Sequence, residues 1–247
     1  MPDSSEFFPK HGDRFVTTHW TAVIRAGQPD SAGSEQALSE LCRSYWLPLY
    51  TFIRGQGQPP AAAEDLTQGF FAKLLEKNYV AAADQAKGRF RTFLLTALKR
   101  YLANEWDRSH AAKRGGFRTI VEIDKAVAES QVAPQLVHDA PPDQLFERQW
   151  AVTLLETVMK RLEKEYVETG RTKLFHHLAC TLTQEENAQP YAAIARELDL
   201  TEAAVKTAAR RLRLRYQELL RDEIARTVSS KHEVEEELRY LFGLFRH

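Results

Sequence analysis

The chain has 247 residues and a formal net charge of zero, with 43% hydrophobic and 28% charged residues. This composition is typical of a globular protein and excludes a chain that is disordered along its whole length. No apolar run approaches the length of a membrane span, and the first residues lack the basic-then-apolar order of a secretory signal, so we expect a cytoplasmic protein without a membrane partner. The two cysteines, Cys42 and Cys180, fit a reducing compartment.

Apolar residues recur at helical spacing along most of the chain, and strand-like alternation is nearly absent, which predicts an all-α fold. In chain order, the predicted helices are residues 20–24, 34–54, 61–77, 88–109, 143–168, 171–182, a helix-turn-helix over 190–227, and 231–245. The predicted organisation is an N-terminal arm (1–33), a helical domain (34–116), a flexible linker (117–142), a second helical domain (143–227) and an acidic C-terminal helix (228–247).

The helix at 61–77 contains the sequence EDLTQGFFAKLLE. Its inward stripe is predicted to be Leu66, Phe70 and Leu74. Asp65, Gln68 and Phe71 would then face solvent, and an exposed aromatic ring beside polar groups is typical of a protein-binding surface. The same spacing is equally compatible with a helix whose two phenylalanines both lie in the core.

A basic segment follows, with nine Lys or Arg and only two acids between Lys87 and Arg118. Tyr101 and Trp106 lie among these cations. Aromatic rings between cations favour single-stranded DNA, because bases stack on the rings while the cations bind the backbone. The alternative is a set of core aromatics beside a solvated charged face.

Residues 190–215 predict a helix, a three-residue turn and a second helix that is strongly basic. Ile194 and Val205 are spaced to share a small core, and Thr201 is placed to cap the second helix. Residues 203–215 hold five cations and no acid. A helix-turn-helix with a basic second helix can lie in the major groove of DNA. A basic surface helix beside a helical hairpin is the alternative.

Together these motifs resemble a known family. The sequence EDLTQ with FF, then GRFRTFLL, then LANEWDR followed by KRGG, resembles region 2 of bacterial RNA polymerase sigma factors. The stretch YAAIARELDLTEAAVKTAARRLRLRYQELL resembles region 4 of the same proteins. Two domains with a linker, and nothing similar to regions 1.1 or 3, match the small extracytoplasmic-function (ECF) group.

The resemblance implies a protein that binds core RNA polymerase and promoter DNA and promotes transcription initiation. The implied contacts with the clamp helices of the polymerase β′ subunit are Asp65, Gln68 and Phe71. The candidates for the −10 element are Lys99, Arg100, Asn104, Trp106 and Arg108. The candidates for the −35 element are Thr201, Glu202, Ala203, Lys206, Thr207, Arg210, Arg211 and Arg213. The polymerase β flap and an anti-sigma protein or another regulator are further implied partners, and no cofactor is implied.

Two other functions remain open from the residues alone. A helix-turn-helix regulator would act without polymerase and has no reason to carry EDLTQGFF. A helical interaction protein would bind a partner through its tail, residues 228–247, and its basic patches would be solvated. Salt-dependent DNA affinity would separate this last function from the others, because phosphate contacts give a steep salt dependence. We expect neither an enzyme nor a metal site. The chain shows no phosphate loop, serine–histidine signature or metalloprotease motif, and His176, His177 and Cys180 lack a second ligand pair.

The tail is predicted to pack back on its own domain through one helical stripe, with covering of the basic helix or binding of a regulator as alternatives. The residues of that stripe are Leu238, Leu241, Phe242 and Phe245. In the turn of the helix-turn-helix, Asp199 stands where the family usually has glycine, and aspartate tolerates a left-handed backbone.

Overall fold

The computed structural model describes residues 20–28, 33–77, 79–109, 125–136, 140–183, 189–228, 230 and 232–245. All regular structure in these segments is helical, which confirms the predicted all-α class. The α-helices are α1 (Trp20–Ala26), α2 (Ser34–Gly55), α3 (Pro60–Glu76), α4 (Phe90–Ser109), α5 (Lys125–Leu136), α6 (Pro142–Glu168), α7 (Thr172–Thr183), α8 (Tyr191–Glu197), α9 (Glu202–Ala225) and α10 (Glu233–Gly243). Short 3-10 helices cover Tyr79–Ala82 and Gln85–Lys87. In the described part of the chain, no helix is both long and apolar enough to cross a membrane.

Two long helices, α2 and α6, organise the core. The first is buried along most of its length and packs against α1, α3, α5 and α6. The second contacts α2 and also packs against α7 and α9. Its buried residues Phe146, Leu154 and Leu162 therefore join the core around α2 to the core around the helix-turn-helix, and the buried apolar side chains form one continuous cluster.

The predicted flexible linker contains a packed helix, so that prediction is wrong for residues 125–136. Ala128 and Val132 of α5 are buried, because apolar positions four residues apart face α2. The Glu129 carboxylate pairs with the Arg54 guanidinium at 2.6 Å and accepts a hydrogen bond from the Tyr50 hydroxyl at 2.5 Å. Of the rest of the predicted linker, residues 117–124 and 137–139 lie outside the described residues.

The C-terminal helix α10 packs on α9, but through a stripe different from the predicted one. Leu238 and Leu241 are buried as expected, together with Val234 and Glu237, whereas Phe242 and Phe245 are exposed. The reason is geometric. Positions 234, 237, 238 and 241 share one face of a helix with 3.6 residues per turn, and Phe242 lies beside that face. Phe245 follows the end of α10 at Gly243, so helical spacing no longer places it on the stripe.

Candidate nucleic-acid interface

The expected polymerase-binding face of α3 is only partly exposed. Asp65 is exposed, but Gln68 and Phe71 have 7% and 1% of their surface accessible, so the prediction that both face solvent is wrong. The helix packs against α2 and also contacts α4, and an apolar face that meets two neighbours must be wide.

The alternative interpretation of this helix, with both phenylalanines in the core, is confirmed. The Phe70 ring lies 5.8 Å from the Phe71 ring and 5.7 Å from the Tyr101 ring, measured between centroids. Asp65 thus remains as the exposed member of the three predicted polymerase contacts.

The C-terminal half of α4 presents several of the −10 candidates at the surface. Lys99, Arg100 and Asn104 are exposed, and Trp106 has 64% of its surface accessible. Tyr101 is buried, so it cannot offer a ring face to a base, contrary to the predicted interleaving of two aromatics. Arg108 lies in the last turn of the helix, with its side chain outside the described residues.

The cations at the beginning of this segment form ion pairs with acidic residues of the same chain. Arg91 has 2% of its side chain accessible and pairs with Glu147 at 2.7 Å and Glu237 at 2.6 Å. Its guanidinium lies 4.1 Å from the centre of the Trp150 ring. Burial acts to lower the pKa of Arg91, but the two carboxylates outweigh burial and hold this pKa above its ordinary value. Arg91 is therefore a buried ion-pair residue, although the sequence predicts that the cations of this basic segment are available to DNA.

Two further cations of the segment also have acidic partners from the C-terminal half. Arg89 pairs with Glu237 at 2.5 Å, and Glu237 has none of its side chain accessible. Lys99, a −10 candidate, pairs with Asp143 at the start of α6.

These acidic partners are not among the residues predicted from the sequence, although two signals for them exist. Glu237 lies within the apolar stripe of α10, where a carboxylate needs a cation. Arg91 lies on the same face of α4 as Leu94, Leu95 and Leu98, all of them buried. A charged residue within an apolar stripe on each helix indicates a buried pair, but not which residues form it.

The helix-turn-helix is confirmed in its local geometry. Ile194 and Val205 are both fully buried between α8 and α9. In the turn, Asp199 has a φ of 52°, the left-handed conformation anticipated for it. The Leu200 amide donates to the Ala195 carbonyl at 2.9 Å, and the Thr201 hydroxyl accepts from the Ala204 amide at 3.2 Å. Thr201 is thus the N-cap of α9.

The outer face of α9 carries most of the −35 candidates. Val205, Ala209 and Leu212 are fully buried, and this inner stripe fixes which side chains point outward. The exposed candidates are Thr201, Glu202, Ala203, Lys206, Thr207, Arg210, Arg211 and Arg213.

Some of these side chains have partners within the protein, and the Thr207 hydroxyl donates to the Ala203 carbonyl at 2.9 Å. Lys206 pairs with Glu202 at 2.7 Å, and Arg213 donates to the Tyr191 hydroxyl at 2.9 Å. Such exposed contacts contribute at most about 1 kcal/mol and can be exchanged for a phosphate. The outer face therefore keeps its cations available at the surface.

The fifth cation of the helix, Arg215, has a structural position. It holds both oxygens of Glu165 on α6 at 2.8 Å and also contacts Glu218 at 2.9 Å. The hydrogen bonds from Arg215 hold the pKa of Glu165 below its ordinary value. This bidentate pair fixes the middle of α9 against α6.

His176, His177 and Cys180 do not come together around a shared point in the structure. His176 lies 3.4 Å from Glu163, and His177 lies 3.4 Å from Gln189 and from Glu197. The Cys180 thiol donates to the His177 carbonyl. Within the described segments, no three side chains of His, Cys, Asp or Glu form an arrangement that could hold a metal ion.

Comparisons with known proteins identify no relative of the chain. No family model, no curated protein and no solved structure matches the chain. Any function must therefore be argued from the motifs and from the two surfaces described above.

Proposed function

We propose that the chain is an ECF-type sigma factor, which binds core RNA polymerase, recognises promoter DNA and promotes initiation. The observation that carries this proposal is the outer face of α9: a capped helix of a helix-turn-helix, with exposed Lys206, Arg210, Arg211 and Arg213. In such a motif, the N-terminal side chains of the second helix contact base edges, and flanking cations bind phosphates on either side of the major groove.

In this proposal, residues 34–116 and 143–227 act as separate DNA-binding halves. The exposed end of α4, with Arg100, Asn104 and Trp106, would engage the unpaired strand of the −10 element. The exposed face of α9 would engage duplex DNA at the −35 element. The protein would act by binding and positioning, without catalysing a reaction.

Asp65 supplies the most direct test of polymerase binding. We expect Asp65→Lys to abolish co-purification with core polymerase, because it reverses the charge of the exposed candidate on α3 without touching the core. Glu76→Lys, on the same helix and also exposed, is the matched control and should bind normally. Wild-type binding by Asp65→Lys would refute this docking assignment.

A regulator that works without polymerase is the second candidate, and one observation favours it. Two of the three docking residues, Gln68 and Phe71, are buried, which leaves less exposed docking surface than the resemblance implies. Salt-dependent binding to duplex DNA, without any association with core polymerase, would establish this alternative.

A further inference from the structure

Three acids from the C-terminal half of the chain pair with three of the cations in residues 87–109, which we call the α4 segment. Asp143 lies against Lys99, Glu147 against Arg91, and Glu237 against both Arg89 and Arg91. We call these three acids the clasp. Each cation comes from the predicted first domain and each acid from the region that follows the predicted linker.

We propose that the clasp is autoinhibitory: it occupies cations of the α4 segment that would otherwise bind DNA phosphates, and it keeps the chain closed. This inference rests on the proposed function for its biological meaning. The contacts themselves do not depend on it.

The clasp acids compete directly with DNA phosphates for the same cations. Lys99 is one of the −10 candidates, and in this structure its ammonium group is occupied by the Asp143 carboxylate. Arg89, at the start of the same segment, is occupied by Glu237. Displacing Asp143 from the exposed Lys99 costs little, as for the exposed pairs on α9, but Glu237 has none of its side chain accessible and leaves Arg89 only when α10 moves. The closed form therefore has lower affinity for DNA.

The closed chain is also small compared with the distance between the two promoter elements. The two promoter elements are named for positions about 25 base pairs apart, or about 85 Å along the duplex at about 3.4 Å per base pair. A compact chain of 247 residues has a radius of gyration of about 18 Å and is about 45 Å across. The described residues pack around one continuous core, so a chain closed in this way is too short to reach both elements, and in the proposed function it opens to do so.

The interface that closes the chain consists partly of buried ion pairs. Buried ion pairs gain less net free energy than apolar contacts of similar size, because both charges lose water on closing. Glu237 would recover its hydration when α10 leaves. However, Leu145, Phe146 and Trp150 of α6 are also buried, so neutralising acids removes only part of the closing free energy. We therefore expect a moderate effect.

The test compares two full-length double variants that lose the same charge. The clasp variant is Asp143→Asn with Glu237→Gln, which frees Lys99 and Arg89 and leaves Glu147 as the countercharge of Arg91. The matched control is Glu156→Gln with Glu236→Gln, which also changes one exposed acid on α6 and one acid on α10. Affinity for a fluorescein-labelled 20-nucleotide oligothymidylate is measured by anisotropy, and amide hydrogen exchange is measured by mass spectrometry.

We expect the clasp variant to bind the oligonucleotide at least about fivefold more tightly than the control, as for a typical coupling between sites. It should also lose exchange protection over residues 142–151 and 233–243. Equal affinities for the two variants would overturn the clasp. Lost protection with equal affinities would also overturn it, because closing would then not compete with DNA.

Two further outcomes separate this inference from the proposed function. If neither wild type nor any variant binds the oligonucleotide, DNA binding by α4 is refuted and the clasp is refuted with it. If circular dichroism shows that the double variant does not fold, Asp143→Asn alone is used, since both Asp143 and Lys99 are about half exposed. That single variant should still bind more tightly than Glu156→Gln, and equal binding would refute the competition.

Discussion

The two basic segments look alike in the sequence and differ in the structure. At the start of α4, Arg89 and Arg91 serve as internal ion-pair partners, and Lys99 further along is also occupied. On α9, Arg210 and Arg211 lie on the exposed face. A cluster of cations in a sequence therefore does not by itself define a nucleic-acid surface. The number of cations that remain available to DNA depends on which of them pair with acidic residues in the folded protein.

The largest expected effect is on stability and concerns Arg91, the buried arginine of α4. We expect Arg91→Ala to lower the free energy of unfolding by about 3–5 kcal/mol, because it leaves two carboxylates without their shared cation. Urea denaturation followed by circular dichroism measures this change. Arg100→Ala, an exposed arginine on the same helix, is the control and should stay within about 0.5 kcal/mol. A loss below about 1 kcal/mol for Arg91→Ala would show that the ion pairs contribute little.

Phosphate binding by the exposed face of α9 is tested by Arg210→Ala combined with Arg211→Ala. We expect duplex affinity to fall about thirtyfold at about 0.15 M salt, with similar losses for all sequences and a salt slope smaller by about 1.8, the values for two lost phosphate contacts. Arg221→Ala, on the same helix and paired with Glu235, should leave affinity unchanged. A loss that depends on the DNA sequence would instead mean that these arginines read bases.

How far each surface could be predicted follows from the range of the interactions that build it. Thr201 and Asp199 were predictable, because a helix cap and a left-handed turn depend on residues a few positions apart. Phe71 was not, because its burial depends on whether one or two helices pack against α3. The partner of Arg91 lies 146 positions away at Glu237, and only the fold brings the two together.

A smaller effect on the free energy of unfolding is expected at Thr201, the N-cap of α9. We expect Thr201→Ala to destabilise the protein by about 1 kcal/mol, because the Ala204 amide loses its side-chain acceptor. Thr201→Ser should restore most of this loss, since serine caps equally well. Urea denaturation of the three proteins checks the series, and equal stabilities would contradict the capping role.

The smallest effect concerns α5, the helix within the predicted linker. Hydrogen bonds from Arg54 hold the pKa of Glu129 below its ordinary value of 4.5. A carboxylate with a lowered pKa stabilises the fold above its ordinary pKa, and this stabilisation is lost as the pH falls through the lowered value. We expect Glu129→Gln to be less stable than wild type at pH 7 by less than about 1 kcal/mol. The difference should shrink between pH 5 and pH 3 in urea denaturation, and a difference independent of pH would contradict the account.

We propose that this chain directs RNA polymerase to promoters. The most direct measurement is run-off transcription with purified bacterial core polymerase and a pool of genomic promoter fragments from the source organism. The account predicts specific transcripts that appear only when the protein is present, and more of them with the clasp variant than with its matched control. An absence of transcripts with both variants, together with no co-purification with core polymerase, would contradict it.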